Sequence, residues 1–411
     1  MIPVEEALEI VLRETRLVES EEVLLEDAPG RVLQGDVRAD RDMPPFNRAA
    51  MDGYALRAVD AASPPARLSV TGEVAAGAWP EGKVGPGEAV RIMTGAPVPE
   101  GATAVQQVEK TRVLDDGHRV EIFAALEEGA HVAPRGSEAR RGDVVLEDGS
   151  VIGAAAVAVL ASTGHARVVV ARRPRVAVLV TGDEIVDVAS VPGPGQIRNS
   201  NGHAVSAQAR LCGAEVRLLA VVPDRREETL AAVRDGLSPE TDVLVVSGGV
   251  SAGEYDLVEP ALEELGATFF FTAVAIKPGA PLVFGRHREA LVFGLPGNPV
   301  SAQVTFEIFV RAALLKMQGA RSTARPRVEV ELLGPLKNRS RRKAHAPAHV
   351  RFENGRLVAR PIRSMGSGDL VAHSRANALV VLDAERTDAQ AGETAPALLL
   401  DGFMEDDRAP I

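Results

Sequence analysis

The sequence predicts a multidomain α/β plus β protein. Three observations carry that prediction. Over residues 175–317, apolar strand-like runs alternate with amphipathic helical segments, the pattern of a mostly parallel sheet covered on both faces. Over residues 23–145, and again after Pro326, short Val-rich runs are broken by Gly and Pro, which is the texture of β structure with many turns. The chain has 411 residues, enough for several separate cores.

The elements follow in order. A helix is predicted over residues 4–15, where Val4, Ala7, Leu8, Val11 and Leu12 share one face. The runs "RLSVTGEVAAG", "GEAVRIMTGAPVPEGA" and "HRVEIFAAL" read as strands and turns. "VIGAAAVAVLAS", residues 151–162, reads as a buried helix, too short to span a bilayer. Then come strand "RVAVLVTG", helix "NSNGHAVSAQARLCG" with polar caps and a closing Gly213, strand "EVRLLAVV" and helix "REETLAAVRDGL". Strand "TDVLVVSGG", helix "DLVEPALEELG", strands "TFFFTAVAI" and "EALVFGLPG" and a long helix "PVSAQVTFEIFVRAALLKM" complete the alternation. The basic run "KNRSRRKAH", residues 337–345, reads as a solvated loop.

Composition narrows the function. Apolar residues make up 45% and charged residues 25%, ordinary for a globular protein, while aromatics are only 3%. The net charge of −11 argues against a nucleic-acid partner and against an anionic membrane surface. Cys212 is the sole cysteine, so no intrachain disulfide forms, which fits a reducing compartment. The run "MIPVEEALEIVLRE" carries acids where a secretory signal needs a basic region and an apolar core, and a cytoplasmic protein is expected. The eight histidines lack ligand spacing, no Ser-His-Asp or Cys-His pair stands out, and GxGxxG is absent.

In an open parallel sheet, ligands bind at the carboxyl ends of the strands. The loops leaving those ends are "TGDEI" (181–185), "SGGVSAGEYD" (247–256), "IKPGAP" (276–281) and "GLPGNPVS" (294–301). Their glycines allow a ligand to approach the backbone, whose N–H groups form an anion nest. Lys277 adds a cation, and Asp183, Glu184, Glu254 and Asp256 add hard oxygens suited to Mg²⁺. Each loop also has a plain structural reading: Gly-Gly as a tight turn, Glu184 and Asp256 as helix N-caps, "LPGNP" as a turn into a helix. The four loops on one edge favour a phosphorylated ligand with Mg²⁺ bridging its oxygens. Upstream, "DMPPFNRAAMDGYAL" (42–56) reads as a stiff exposed loop with Asp52 in its turn, and "RIMTGAPVPEGA" offers Thr94 beside Gly95.

Seven stretches occur in order over residues 44–306: "PPFNRAAMDGYA", "RIMTGAPVPEGA", "LVTGDEI", "IRNSNG", "SGGVSAGEYD", "AIKPGAPLVFG" and "FGLPGNPVSAQVTF". Together they resemble the molybdopterin molybdenumtransferases, the family that includes the gephyrin E domain, over nearly the full length. The resemblance implies a molybdopterin-binding three-layer α/β domain (175–325), an inserted β-rich domain (23–145), a small helical/linker domain (1–22 and 146–174) and a C-terminal β-barrel domain (326–411). It implies insertion of molybdate into adenylylated molybdopterin, with Mg²⁺, release of AMP and formation of molybdenum cofactor. It implies a homodimer whose cleft joins the α/β domain of one subunit to the inserted domain of the other, and molybdopterin adenylyltransferase as the upstream enzyme. Carried over by motif, the catalytic residues are Asp52, Thr94, Glu184, Asp256 and Lys277. The substrate-binding residues are Ser247, Gly248, Gly249, Ser251, Pro296 and Pro299, and the metal ligands are Glu184, Asp224 and Asp256.

The chain departs from the family pattern in three regions. Ala280 stands where the family usually has a second Lys, Glu138 where it usually has Asp, and "SRRKAHAPAHVRF" and "MGSGDLVAH" replace the usual C-terminal motifs, with His349, Val371 and Ala372 at the changed positions. These changes leave in view a relative that handles tungstate or delivers the cofactor without catalysis; the resemblance to gephyrin adds a non-enzymatic scaffold, against which the lack of a low-complexity linker speaks.

Overall fold

The computed structural model describes residues 1–249 and 257–400. Helix α1 (Val4–Glu14) buries Val4, Ala7 and Val11, the face its apolar spacing defines. The chain then forms strand Ser20–Leu24, which pairs antiparallel with Arg167–Ala171 from Ser20 opposite Ala171 to Leu24 opposite Arg167. Between these two strands lies the insertion.

The insertion is built on a six-stranded mixed sheet of β1 (Gly53–Leu56), β2 (Ala66–Val74), β3 (Glu88–Ile92), β4 (Ala104–Gln107), β5 (Thr111–Leu114) and β6 (Arg119–Ile122), in the order β4-β1-β3-β2-β6-β5. Alternation along β1 sends Ala55 to one core, with Val74, Ile92 and Val105, and sends Tyr54 and Leu56 to another, with Leu68, Val120 and Ile122. Gly53 is required where β1 meets β4, because a Cβ there would lie 1.7 Å from the carbonyl oxygen of Gln106. The chain returns through short ladders at Val132–Ala133 and Val144–Leu146 to α2 (Ala154–Ser162).

Helix α2 corrects one expectation. It forms where predicted, but only Leu160 is buried, against Leu33, Ile152, Val168 and Val170. Short ladders and loops cover only one side of this apolar helix: Ala156 and Val157 pack against that core, while Ala154, Ala155, Ala158 and Ala161 remain exposed.

The α/β domain contains, in chain order, β7 (Arg175–Val180), α3 (Ser200–Leu211), β8 (Glu215–Leu218), α4 (Arg226–Gly236), β9 (Val243–Ser247), α5 (Val258–Glu264), β10 (Thr268–Ala273), β11 (Pro281–His287), β12 (Ala290–Leu295), α6 (Pro299–Thr305) and α7 (Arg311–Met317). The sheet order is β8-β7-β9-β12-β11-β10, parallel from β8 to β12 and antiparallel at β11. Its two faces are both buried: Val176, Val178, Val243, Val245 and Phe293 face one core, Ala177, Leu179, Leu244, Val246 and Val292 the other. The few aromatics are concentrated here; Phe284 stacks within 5.5 Å of Phe270, Phe271 and Phe293, centroid to centroid.

Two predicted elements divide. The long helix continues through a π turn at Phe306–Val310 between α6 and α7. The run "TFFFTAVAI" ends its sheet at Ala273; Val274 N–H donates to the Ala280 carbonyl at 2.9 Å and Ile2 N–H to the Ala273 carbonyl at 3.2 Å, so the chain turns away. Ile276–Lys277 then pairs in parallel with Lys343–Ala344 of the next domain.

The last domain closes a five-stranded barrel from β13 (Arg327–Leu332), β14 (Lys343–Glu353), β15 (Arg356–Pro361), β16 (Ala378–Leu382) and β17 (Thr394–Leu399), with the one-turn helix α8 (Leu370–His373) inserted. Closure depends on β14, whose first half pairs with β16 and whose second half pairs with β15. Its interior is lined by small residues, among them Ala344, Ala348, Ala359, Ala395 and Ala397, as a narrow barrel demands. The basic run expected as a solvated loop instead carries Lys343 to His345 into β14, and His345 is buried. Among the described residues, no helix is long and apolar enough to cross a membrane.

Candidate functional site

A cavity of about 330 Å³ opens at the carboxyl ends of β7, β9 and β12. It lies beside the strand order's reversal, where such sheets present ligand-binding crevices. Its wall is a glycine turn. Gly248 has φ +96° and Gly249 φ +62°, and added Cβ atoms would lie 2.6 Å from the Thr181 carbonyl oxygen and 2.9 Å from the Thr181 hydroxyl. Both positions therefore require glycine, and the turn leaves its backbone facing the cavity.

Polar side chains brace this turn. Asn201 in the first turn of α3 donates from Nδ2 to Ser247 Oγ at 2.9 Å and to the Gly297 carbonyl at 2.8 Å. It thereby ties the ends of β9 and β12 together. Asn199 caps α3, accepting from Gly202 N–H at 2.8 Å. Thr181 is buried, and its hydroxyl has no partner among the described residues although it borders the cavity.

Of the residues singled out in the sequence, Glu184, Asp224, Ser247, Gly248, Gly249 and Pro299 line this cavity. Glu184 is not a helix cap, since α3 is capped by Asn199. Pro296 is buried behind the wall, its carbonyl 3.4 Å from Ser247 Oγ. Lys277 is half-buried on the short strand that joins the barrel and does not line the cavity. Its loop abuts the cavity's rear: Gly279, φ +102°, would press a Cβ to 2.5 Å from Thr305 in α6 and 3.7 Å from Pro296. Ser251, Glu254 and Asp256 lie outside the described residues. Asp52 and Thr94 are exposed on the insertion and do not line the cavity. They form a unit of their own, with Asp52 Oδ1 accepting from Thr94 N–H at 2.6 Å and from its hydroxyl at 2.8 Å. Those bonds hold the Asp52 carboxyl below the usual carboxylate range.

Among the cavity-lining residues that the sequence did not single out are Thr181, Arg198, Asn201 and Gly297. "IRNSNG" was legible as a polar opening to α3, but which Asn caps and which reaches across the sheet depends on the fold.

The carboxylates permit a test for Mg²⁺. Asp224 N–H donates to Asp183 Oδ1 at 3.2 Å. Burial, followed by repulsion from Asp183 and Glu184, pushes the Asp224 carboxyl up. A dication would relieve that repulsion, and Glu184 and Asp224 offer the hard oxygens it requires. Among the described residues no group of three His, Cys, Asp or Glu could hold an ion. The pair therefore fits Mg²⁺ in its usual mode, with one or two protein carboxylates and the rest supplied by phosphate oxygens and water.

The C-terminal barrel reaches the same region. Val300 N–H in α6 donates to the Ser367 carbonyl at 3.0 Å, so the "MGSGDLVAH" segment leans on the helix that Pro299 opens. Ala280, at the departed Lys position, is buried, and Ala372 is buried in α8.

Fold and site thus define a multidomain α/β protein with a glycine-walled, carboxylate-edged cavity at the carboxyl ends of its parallel strands. Residues 2–164 match the MoeA N-terminal region (domain I and II), residues 177–316 the probable molybdopterin binding domain, and residues 329–400 the MoeA C-terminal region (domain IV). The chain is 34% identical to the molybdopterin molybdenumtransferase of Bacillus subtilis, covering 97% of this chain and 94% of that one. It is 33% identical to that of Staphylococcus aureus, with 97% and 95% covered. A solved structure of the molybdopterin biosynthesis moeA protein from Pyrococcus horikoshii OT3 superposes with a TM-score of 0.83 at 30% identity, over 97% of this chain and 100% of that chain. The chain belongs to the molybdopterin molybdenumtransferase family, a family of transferases.

Proposed function

We propose that this chain inserts molybdate into adenylylated molybdopterin, releasing AMP and yielding molybdenum cofactor in a Mg²⁺-dependent reaction. The observation that carries the reading is the glycine wall at Ser247–Gly249 facing Glu184 and Asp224 across one cavity, in a chain of this family. The wall would hold phosphate through backbone N–H groups. Glu184 and Asp224, with Asp256, would hold Mg²⁺, which when bound supplies charge neutralisation at the phosphoanhydride. Ser251, Pro296 and Pro299 would shape the substrate's seat, and Lys277 would supply positive charge behind it. Asp52, oriented by Thr94, would close the site from the partner subunit.

A homodimer is part of this proposal. Asp52 and Thr94 lie outside the cavity of their own chain, and α2 leaves apolar side chains uncovered, both of which favour a second copy. We also propose the division into residues 1–22 with 146–174, 23–145, 175–325 and 326–411, a cytoplasmic location, and molybdopterin adenylyltransferase as the source of the substrate. The pairing of residues 37–38 with 144–146 extends linker-like structure somewhat into the insertion.

Purified chain incubated with adenylylated molybdopterin, Mg²⁺ and molybdate should release AMP. Tight substrate binding with no AMP from molybdate or tungstate would overturn catalysis and favour cofactor delivery. Ala280 favours that second reading, since its buried side chain removes a cation near the phosphate.

A further inference from the structure

At the opposite end of the α/β sheet, where the parallel strands begin, five arginines surround a second cavity of about 560 Å³. Arg31 comes from the loop after residues 25–27, Arg172 and Arg173 from the connection into β7, Arg175 from the start of β7, and Arg210 from the last turn of α3. Two of them are neutralised. Arg172 donates to both oxygens of Asp242, at 2.7 and 3.0 Å, and to Glu19 at 2.9 Å. Arg31 pairs with Glu21. Arg173, Arg175 and Arg210 have no ion-pair partner within 4 Å among the described residues, although Arg175 lies near enough to Glu19 to help lower its carboxyl, and one further acid, Glu215, lines the cavity. Arg173 donates only to the Gly213 carbonyl, at 3.2 Å.

Arg31, which also lines the cavity, carries an independent signal. Arg31 is only 5% exposed, and its Nε is buried without a hydrogen-bond partner. Buried guanidinium N–H groups are normally satisfied, so this one marks a donor position that the chain itself leaves unfilled. The overall charge is −11, so an unpaired arginine cluster is not the background of this surface. Guanidinium forks match the paired oxygens of phosphate, and three forks without an ion-pair partner around one cavity with Arg31 suit a ligand with more than one phosphate oxygen pair.

We propose that this cavity is a second anion-binding site, taking a small oligophosphate, free or as the phosphates of a nucleotide, through Arg173, Arg175 and Arg210 beside the buried Arg31. It shares no residue with the Glu184–Asp224 cavity, so it stands or falls apart from the catalytic reading.

Calorimetric titration of the full chain with pyrophosphate, and separately with ATP, tests the proposal. The variants are Arg175→Gln, Arg210→Gln and the pair together, all at exposed side chains, with the near-ultraviolet circular dichroism of each checked against the parent. Each single change should weaken one class of binding by about ten-fold, the size expected for a lost charge-assisted hydrogen bond. The double variant should abolish that class. Equal loss for pyrophosphate and ATP identifies a nucleotide's phosphates as sufficient, and loss for pyrophosphate alone identifies a free oligophosphate; both support the site. Binding of both ligands unchanged in the folded double variant, or no binding by the parent beyond what an Asn201→Ala change removes, would overturn it.

Discussion

The Asp52 carboxylate takes both its side-chain hydrogen bonds from one residue, Thr94, and so is oriented although it is exposed. Asp52→Asn keeps the shape and removes the charge. AMP release should fall about 100-fold, as for loss of a positioned acid–base group, while the melting temperature moves by no more than about 2 °C. Asn201 acts differently, since its amide joins Ser247 on β9 to Gly297 beyond β12. Asn201→Ala leaves the buried Ser247 hydroxyl with only the 3.4 Å contact to Pro296. It should cost about 1–2 kcal/mol in denaturant unfolding and raise KM more than it lowers kcat. His345 is fully buried, and burial with repulsion from Lys343 pushes its imidazole down to about 4, against the weaker attraction of Glu5 and Asp383. The folded chain then binds fewer protons here than the unfolded chain between pH 4 and 6.5. Stability from this group is full above pH 6.5 and is lost as pH falls toward 4. A His345→Gln variant should show a flatter unfolding free energy across that window.

Whether each element could be read depended on how local its cause was. The helices α1 and α3 and the central strands follow apolar spacing, which acts within one or two turns. The run "TFFFTAVAI" did not disclose its break, because the break is made by hydrogen bonds to Ile2 and Ala280 and by pairing to the barrel. The basic run before β14 misled for the same reason: barrel closure, not composition, draws it inward. The glycine wall can be tested at this scale. Gly30 and Gly248 both have positive φ, but a Cβ meets nothing within 4 Å at Gly30 and a backbone carbonyl at 2.6 Å at Gly248. Gly30→Ala should cost about 1–2 kcal/mol from the left-handed backbone alone. Gly248→Ala should cost more, by about 1–3 kcal/mol from the added clash, and should also abolish substrate binding.

At the scale of the whole molecule, the cavity holds the carboxylates and glycines of one domain, while Asp52 and Thr94 stand apart on another. If two copies complete each site, mixing inactive Asp52→Ala and Glu184→Ala chains should restore activity. Random exchange gives half heterodimers, each with one intact site of two, and so about a quarter of the parental rate. No recovery after verified subunit exchange would mean that each chain works alone.

By itself, the sequence determined the order of strands and helices, the glycine turns at strand ends and the acids beside them. These depend on periodicity and on backbone conformations that only glycine adopts easily, causes that act over a few residues. Only the tertiary structure decided that Asn201 reaches Ser247, that Lys277 does not line the cavity, that one side of α2 stays exposed and that arginines from positions 31 to 210 meet around one opening. Those outcomes depend on strand register and domain contact between segments far apart in the chain, and no local pattern encodes either.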